Sequence, residues 1–332
     1  MSFIRKLVPI ALLVVALFVV IEFSYRIYVV GPIALNPFRA NSLNTLMRSE
    51  FVQLSEYPDV FFELKPDAEG WFKGVRFATN SAGMADQEYA FEKPEDVFRI
   101  AVVGSSWTMA SGVEVDQSWH AVLERRLTGR DSHPGIEMLN FGVELYGLRE
   151  IVGVVRHKAL DWNPDLVLVA VTNFTTSLLW EESTDKQILP DRVYPFFESY
   201  SLRALANVAG LSKNARPDDR RRIGLDDVEA RIGQLQRALR ELGEMSAANE
   251  VPVAAVFLGY VPFGAKAEAA IMQQAAQSGV TIVFANHIFP PPGKARLKLQ
   301  ISPYDRHPNE SGHELIADYI GDALAAERLL PD

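Results

Sequence analysis

Residues 98–106 read Phe-Arg-Ile-Ala-Val-Val-Gly-Ser-Ser, an apolar run that ends at a glycine and two serines. Such a run is typical of a buried strand followed by a tight turn. Comparable runs occur at residues 136–141, 166–171, 251–258 and 281–285, and helical patterns separate them. Alternating buried strands and helices predict an α/β domain, a three-layer fold whose five-stranded parallel sheet is doubly wound. We expect the strand order 2-1-3-4-5.

The clearest helical pattern lies at residues 226–249, where apolar side chains recur at steps of three and four. Acidic residues at its start suit the positive end of a helix dipole. Further helical patterns cover residues 117–127 and 148–160, and a loop followed by a terminal helix closes the domain at 301–330. These helices are expected to supply the two outer layers.

Composition narrows the range of functions. A net charge of −9 argues against binding to nucleic acid, whose phosphate backbone attracts basic surfaces. The chain has no cysteine, so disulfides and thiolate metal sites are excluded. Its six histidines lack a metal-ligand spacing, and Gly104 is not followed by the lysine of a phosphate-binding loop. We therefore expect no metal, no cofactor and no nucleic-acid partner.

The N-terminal segment predicts a membrane anchor. Arg5 and Lys6 precede fifteen residues, 7–21, that carry no polar side chain, and aromatic residues suited to a membrane boundary follow them. A cleaved signal peptide is the alternative, but no small-x-small cleavage pattern follows the run. The basic residues before the run predict a single-pass protein of the inner membrane. Its globular part would then face the periplasm or the cell exterior, and the lipid bilayer would be a partner.

The chain divides into three predicted parts. Residues 1–30 form the anchor, 31–95 a linker and a β-hairpin that packs on the core, and 96–330 the α/β domain. We expect the hairpin strands at residues 61–64 and 71–79, joined by a turn rich in proline and glycine.

An insertion interrupts the alternation at residues 180–224. It contains three prolines and the basic run 220–222. A basic run is typical of a solvated surface, and contact with anionic lipid or a glycan is the alternative. Insertions at strand ends often form lids or partner contacts, which is the role we expect here.

Polar side chains with complementary chemistry stand at several predicted ends of elements. Ser106 and Asn173 each follow an apolar strand, while Asp305 and His307 precede the terminal helix. The carboxyl ends of parallel strands meet at one edge of a sheet, so these residues can converge there. A hydroxyl, an imidazole backed by a carboxylate, and an amide donor are what acyl transfer through a serine needs. The alternatives are that Ser106 only caps a helix, and that His313 is the imidazole that matters.

Several spaced blocks resemble the SGNH/GDSL hydrolase superfamily, and in particular its bacterial, membrane-anchored, envelope-facing members. The resemblance covers roughly residues 60 to 328, and the blocks occur in the order seen in that family. The blocks are residues 80–83, 99–106 with 112–113, 139–143, 163–167 and 307–313. The resemblance implies a flavodoxin-like three-layer sheet and chemistry through a serine nucleophile.

The resemblance also implies roles for individual residues. Ser106 matches the nucleophile, and Asp305 and His307 match the pair that serves as the base. The oxyanion hole of the family uses the N–H of the nucleophile, the N–H of a glycine in the second block and the side chain of an asparagine in the third block. Asn173 matches that asparagine, and Leu145 stands at the position of the glycine.

Three residues depart from the pattern of the family. Ser105 replaces the aspartate of Gly-Asp-Ser, Leu145 replaces the glycine, and Phe174 replaces the aspartate that often follows the asparagine. The Gly-Ser-Ser form resembles the SGNH partners of membrane-bound O-acyltransferases, which modify cell-envelope polymers. Trp107 and Phe174 either line an apolar acyl pocket or fill it.

Two functions follow from these observations. The first is a membrane-anchored esterase or O-acyltransferase that acts on an acylated cell-envelope glycan, lipid or small ester. The second is a catalytically degenerate SGNH domain that serves as a structural or binding subunit of an integral membrane complex. A hydrogen bond between Ser106 and His307 beside an open cavity would favour the enzyme, whereas a filled cavity would favour the subunit.

Overall fold

A parallel sheet forms the centre of the molecule. The structure, a computed structural model, describes residues 2–30, 32–36, 51–128, 135–178, 180, 199–209, 227–258, 264–285, 287–291, 293–302 and 305–331. The sheet strands are β5 (Val97–Val103), β6 (Gly135–Asn140), β7 (Leu166–Thr172), β8 (Val253–Leu258) and β9 (Thr281–Ala285). They lie in the spatial order β6-β5-β7-β8-β9, and every neighbouring pair is parallel. The predicted order 2-1-3-4-5 and the α/β class are therefore confirmed.

Helices cover both faces of the sheet, which explains why its strands are apolar on both sides. Every residue of β7 is buried. One face packs against α3 (Leu148–Val154), α5 (Val228–Asn249) and α6 (Gly264–Ser278). The other face packs against α2 (Trp119–Thr128) and α8 (Glu310–Ala326). This arrangement is the three-layer architecture expected from the sequence.

Local sequence sets where the helices begin and end. Asp227 caps α5 by accepting a hydrogen bond from the backbone N–H of Ala230, and Asn309 caps α8 by accepting one from Gly312. The helical path of α3 continues through a π turn and a 3-10 turn as far as Trp162. The other short helical elements in the described part of the chain are the 3-10 turns Pro32–Leu35, Val115–Gln117 and Thr175–Ser177 and the helix α7 (Lys294–Leu297).

The predicted single hairpin is wrong in its pairing. The structure has two hairpins before the sheet: β1 (Val52–Leu54) pairs with β2 (Phe62–Leu64), and β3 (Glu69–Phe72) pairs with β4 (Val75–Ala78). The second hairpin turns at Lys73 and the following glycine, whose φ values are 48° and 93°. Two central residues with positive φ match the twist of a two-residue hairpin, so the second hairpin closes there. The chain also turns at the predicted site, at residues 66–67, but that turn connects β2 to β3, which do not pair with each other.

The N-terminal segment forms one continuous helix, α1 (Ser2–Val30). Its stretch Leu7–Tyr28 is long and apolar enough to cross a membrane, and almost none of it is buried. Within the predicted insertion, the structure describes residue 180 and residues 199–209, which include α4 (Tyr200–Val208). The basic run at 220–222 and the linker residues 37–50 lie outside the described residues.

Candidate active site

The turn after β5 carries the predicted nucleophile. A Cβ on Gly104 would lie 2.2 Å from Thr108 Oγ1 and 3.1 Å from the Cβ of Ala170, so only glycine fits where the chain leaves the sheet. Ser106 follows two residues later and is buried. Its carbonyl accepts a hydrogen bond from the Ser111 N–H at 3.0 Å, which holds the turn closed.

Ser106 does not cap a helix. The residues after it form turns, and the next regular helix, α2, begins at Trp119. Among the described residues, no backbone N–H donates to the Ser106 hydroxyl. The neighbouring Ser105 stands where the family that the sequence resembles has an aspartate. Its hydroxyl is buried and has no hydrogen-bond partner among the described residues. The helix-cap alternative for Ser106 is therefore not what the structure shows.

Asp305 and His307 form a tight pair just before α8. One carboxylate oxygen of Asp305 accepts hydrogen bonds from the backbone N–H of His307, at 3.0 Å, and from Nδ1 of the same residue. Burial alone would raise the pKa of Asp305, but the hydrogen bonds and charge of His307 and the charge of Lys73 outweigh it and hold that pKa well below its usual range. The ionised carboxylate keeps the imidazole proton on Nδ1 and leaves Nε2 to act as a base.

Lys73 and Glu144, neither of which was predicted from the sequence, extend this pair. Lys73 Nζ lies 2.7 Å from Glu144 Oε1 and 3.8 Å from Asp305 Oδ2. The Ser111 hydroxyl also donates to Glu144, at 3.4 Å. These contacts join the tip of the β3–β4 hairpin, the turn after β5 that carries Ser106, and the Asp305–His307 pair. The only sequence signal was the position of Glu144 beside Leu145.

Arg231 on α5 holds the predicted oxyanion asparagine. It is fully buried, and one of its amino groups donates to Asn173 Oδ1, to the Asn173 carbonyl at 3.2 Å and to Thr176 Oγ1 at 2.6 Å. A guanidinium carries only donors, so the amide oxygen of Asn173 must face it. The amide nitrogen, Nδ2, therefore points away from Arg231.

Leu145 adopts the backbone conformation of a glycine. Its φ is +70°, in the left-handed region that residues with a Cβ reach only at a cost. The leucine side chain is half-buried and packs against the core. A leucine thus occupies the left-handed position at which the family that the sequence resembles has glycine.

His313, the rival imidazole, is a core residue. It lies fully buried in α8, and its Nδ1 accepts a hydrogen bond from the Trp119 N–H at 3.1 Å. Burial, together with the charges of His120 and His307, lowers the pKa of His313 to about 3. A buried imidazole that stays neutral and already accepts a hydrogen bond is a poor general base.

The structure brings some of the predicted site residues together and leaves others apart. Asp305 and His307 are paired, but no hydrogen bond joins Ser106 Oγ to His307 among the described residues. The ring of Trp107 packs edge-on against Phe289, with 5.4 Å between ring centroids, and so faces a neighbour in the core. A cavity of about 200 Å³ is lined by residues outside the candidate set: Pro58, Asp59, Arg149, Arg156, Trp180, Arg237 and Glu241.

Several solved structures resemble the chain. One is described as a lipolytic protein of the G-D-S-L family from Desulfitobacterium hafniense DCB-2. It is 13% identical, with a TM-score of 0.41, and the match covers 68% of this chain and 99% of that protein. Another is the psychrotrophic esterase EstA from Pseudoalteromonas sp., at 16% identity and a TM-score of 0.42 over 69% of this chain and 97% of that protein. The chain is similar to G-D-S-L lipolytic proteins and esterases.

An acetyl xylan esterase, AlAXEase, is similar to the same degree. It is 14% identical, with a TM-score of 0.42 over 68% of this chain and all of that protein. No family model matches the chain, and a sequence search of curated proteins found no significant relative. At such identities and TM-scores these similarities carry no argument about reaction or substrate. The fold assignment rests on the strand order of the sheet.

Proposed function

We propose that the chain is a serine esterase or O-acyltransferase of the SGNH type. The observation that carries the proposal is the Asp305–His307 pair, in which an ionised carboxylate fixes the imidazole so that Nε2 can accept a proton. Ser106 and Asn173 leave the carboxyl ends of the neighbouring strands β5 and β7, the edge at which α/β sheets bind their ligands.

The proposed reaction begins when Ser106 Oγ attacks the carbonyl carbon of an ester while His307 Nε2 takes the hydroxyl proton. The negative charge on the former carbonyl oxygen is stabilised by the backbone N–H groups of Ser106 and Leu145 and by Asn173 Nδ2. Collapse of this intermediate breaks the ester C–O bond. His307 then returns its proton to the leaving alkoxide, and the acyl group stays on Ser106.

The second half of the reaction decides between hydrolysis and transfer. Water or the hydroxyl of an acceptor attacks the acyl-serine and gives its proton to His307, and Ser106 leaves with that proton. Because Ser106 and His307 are not hydrogen-bonded in this structure, the site must tighten when an ester binds, as catalytic hydrogen bonds often do.

We propose further that α1 anchors the domain in the inner membrane and that the domain faces the periplasm or cell exterior. An exposed apolar run within α1, with Arg5 and Lys6 before it, supports this orientation. In that location the substrate would be an acylated cell-envelope glycan, lipid or small ester, and an O-acyltransferase or another integral membrane complex would be a partner. N-terminal sequencing of purified protein tests the anchor, because a first residue between about 25 and 40 would mean that a signal peptide had been removed.

A catalytically inactive SGNH domain is the second candidate function. Specific observations favour it: Leu145 replaces the glycine expected to supply an oxyanion N–H, Ser105 stands where the family has a carboxylate, and Ser106 Oγ is not hydrogen-bonded to His307. In this case the domain would act as a structural or binding subunit of a membrane complex.

A serine-directed phosphonate separates the two candidates. The full chain would be treated in detergent, and the adduct would be located by mass spectrometry. The enzyme requires an adduct on Ser106 that disappears in Ser106→Ala and persists in Ser105→Ala, the matched control. Folded wild-type protein that forms no adduct would exclude the esterase and leave the inactive subunit.

A further inference from the structure

The N-terminal helix is joined to the insertion by a capping contact. Glu22 on α1 is buried, and its carboxylate accepts hydrogen bonds from the backbone N–H groups of Tyr200, at 2.8 Å, and Ser201, at 3.0 Å. The Ser199 hydroxyl donates to the same carboxylate at 2.8 Å. A carboxylate at a helix N-terminus satisfies donors that have no partner within the helix, so Glu22 fixes the start of α4 against α1.

Arg26 strengthens the same contact. It pairs with Glu22 at 2.7 Å, and its guanidinium lies 5.1 Å from the centre of the Tyr200 ring. The charge of Glu22 is therefore balanced and fully hydrogen-bonded at the end of the apolar run. This is the condition under which a buried ion pair is tolerated.

An apolar stripe runs along the outer side of α4. Leu202, Leu205 and Val208 follow one another at steps of three and are 55%, 65% and 88% exposed. A step of three keeps side chains on one side of a short helix. Exposed aliphatic side chains of this size on a helix so close to the anchor need an apolar environment.

The position of the stripe identifies that environment. α1 exposes apolar side chains along residues 7–21, the uncharged part of the stretch Leu7–Tyr28, and a segment that is apolar on all sides suits the interior of a bilayer. The first residue of α4, Tyr200, donates its backbone N–H to Glu22, the residue that directly follows the apolar run ending at Ile21. α4 therefore begins beside α1 at the end of its uncharged apolar run, which is where hydrocarbon would give way to lipid headgroups in a bilayer that α1 crosses.

We propose that α4 is an interfacial helix that lies on the same bilayer that α1 crosses, with Leu202, Leu205 and Val208 in the boundary of the acyl chains. This inference rests on the proposed anchoring by α1. It makes α4 a second attachment to the membrane, in which lipid, and not a second copy or another protein, covers the stripe.

The absence of cysteine makes the proposal directly testable by spin labelling. Nitroxides would be attached to Leu202→Cys and Leu205→Cys in the full chain, reconstituted in vesicles of phosphatidylcholine and phosphatidylglycerol. Accessibility to oxygen and to a nickel chelate would report depth. Leu13→Cys, in the middle of α1, is the control for the bilayer interior, and Leu297→Cys, exposed on α7, is the control for water.

The proposal expects labels on α4 at a depth between those of the two controls. Labels as accessible to nickel as the Leu297 label, with the Leu13 label inside the bilayer, would overturn the interfacial helix and leave the anchor intact. Immobile labels shielded from both reagents would show that protein covers the stripe, and would overturn it too. A Leu13 label in water would overturn the anchor, and the interfacial helix with it.

A second inference rests on the independent contact between Arg231 and Asn173. We infer that Arg231 is a positioning residue for the proposed reaction. Because it can only donate, it captures the amide oxygen of Asn173 and leaves Nδ2 to donate to the oxyanion. With a hydrogen-bond acceptor in place of Arg231, the amide group of Asn173 could rotate by half a turn and present its oxygen to the oxyanion.

Kinetics of a double-mutant cycle test this role, with p-nitrophenyl acetate as the probe. Asn173→Ala should lower kcat by about 10²–10³ with little change in KM, the usual effect of losing one oxyanion donor. Arg231→Met should lower kcat in the same direction, and the double variant should be no worse than Asn173→Ala. Losses that multiply would mean that Arg231 is merely structural, and would overturn the inference.

The variant Asn173→Asp provides a second test in case Arg231→Met does not fold. Its carboxylate still accepts from Arg231, so the fold should be kept, while the Nδ2 donor is lost. Unchanged melting with a kcat as low as that of Asn173→Ala supports the inference, and wild-type kcat overturns it. If the wild-type chain shows neither turnover nor a phosphonate adduct, the proposed function itself fails and the positioning role falls with it.

Discussion

Lys73 Nζ lies 2.7 Å from Glu144 Oε1, and the two side chains are only 14% and 6% exposed. The same ammonium is 3.8 Å from Asp305, so one cation faces two carboxylates at the edge of the site. The lysine lies in the turn of the β3–β4 hairpin, whose two strands are not part of the main sheet. The hairpin therefore contributes to the electrostatics of the site.

Removing Lys73 should lower the free energy of unfolding. In Lys73→Met, the buried Glu144 loses its counter-charge, and breaking a buried pair in this way typically costs about 3–5 kcal/mol. Urea denaturation would measure the change in the free energy of unfolding. The matched control is Arg76→Met on the same hairpin, whose exposed pair with Glu69 should be worth less than about 1 kcal/mol. Equal effects of the two variants would contradict the buried pair.

Substitution of the proposed nucleophile or base should abolish turnover without lowering the stability of the fold. Ser106→Ala and His307→Ala should each abolish measurable ester turnover, because serine is a poor nucleophile without a base. Circular dichroism and thermal melting should stay close to wild type, since neither change removes an apolar side chain from the core. Ser105→Ala should retain turnover. Wild-type rates in Ser106→Ala would show that another residue is the nucleophile.

Leu145 offers a test of backbone strain. With φ at +70°, glycine should be accommodated better than alanine, so Leu145→Gly should be more stable than Leu145→Ala by about 1 kcal/mol. Both variants lose the same packing of the leucine side chain, and the comparison therefore isolates the backbone. Midpoints of urea denaturation would measure it. Leu145→Gly together with Ser105→Asp restores the family pattern, and activity found only in that double variant would identify an inactive wild-type domain.

His313 should make the protein sensitive to acid. Burial lowers its folded-state pKa to about 3, while an unfolded histidine titrates near 6.5. Between these values the unfolded chain binds a proton that the native chain does not, so stability falls as the pH decreases through this window, by about 5 kcal/mol at most.

The variant His313→Asn isolates this contribution. An asparagine oxygen can still accept from the Trp119 N–H but cannot be protonated in this range. The difference in unfolding free energy between about pH 7 and pH 4.5 should therefore be smaller in the variant than in wild type. His287→Asn, which removes an exposed imidazole, is the control. An unchanged slope in His313→Asn would show that other groups cause the acid sensitivity.

The sheet could be predicted from the sequence because its strands are buried on both faces and therefore appear as unbroken apolar runs. The predicted strand at 281–285 matches β9, and the others differ from the structure by one or two residues at one or both ends. The pairing of the hairpins could not be predicted in the same way. It depends on the left-handed conformation of Lys73, a residue with no intrinsic preference for a turn.

The site was predicted only in part for a related reason. Asp305 and His307 are two residues apart, so their pairing is local and visible in the sequence. Arg231 lies 58 residues from Asn173, and Lys73 lies 71 residues from Glu144. In the sequence, a single arginine in a helical pattern or a lysine in a turn is typical of an exposed surface residue. Only the tertiary fold shows that these two side chains are largely buried.

The contact between Glu22 and α4 bears on how the protein is produced. A soluble fragment that starts after α1 would lose the carboxylate that accepts from Tyr200, Ser201 and Ser199. Its α4 would begin with unsatisfied donors and an uncovered apolar stripe, a surface prone to self-association. Activity screens and crystals obtained from such a fragment would then describe an insertion altered by the truncation, and full-length protein in lipid is the appropriate sample.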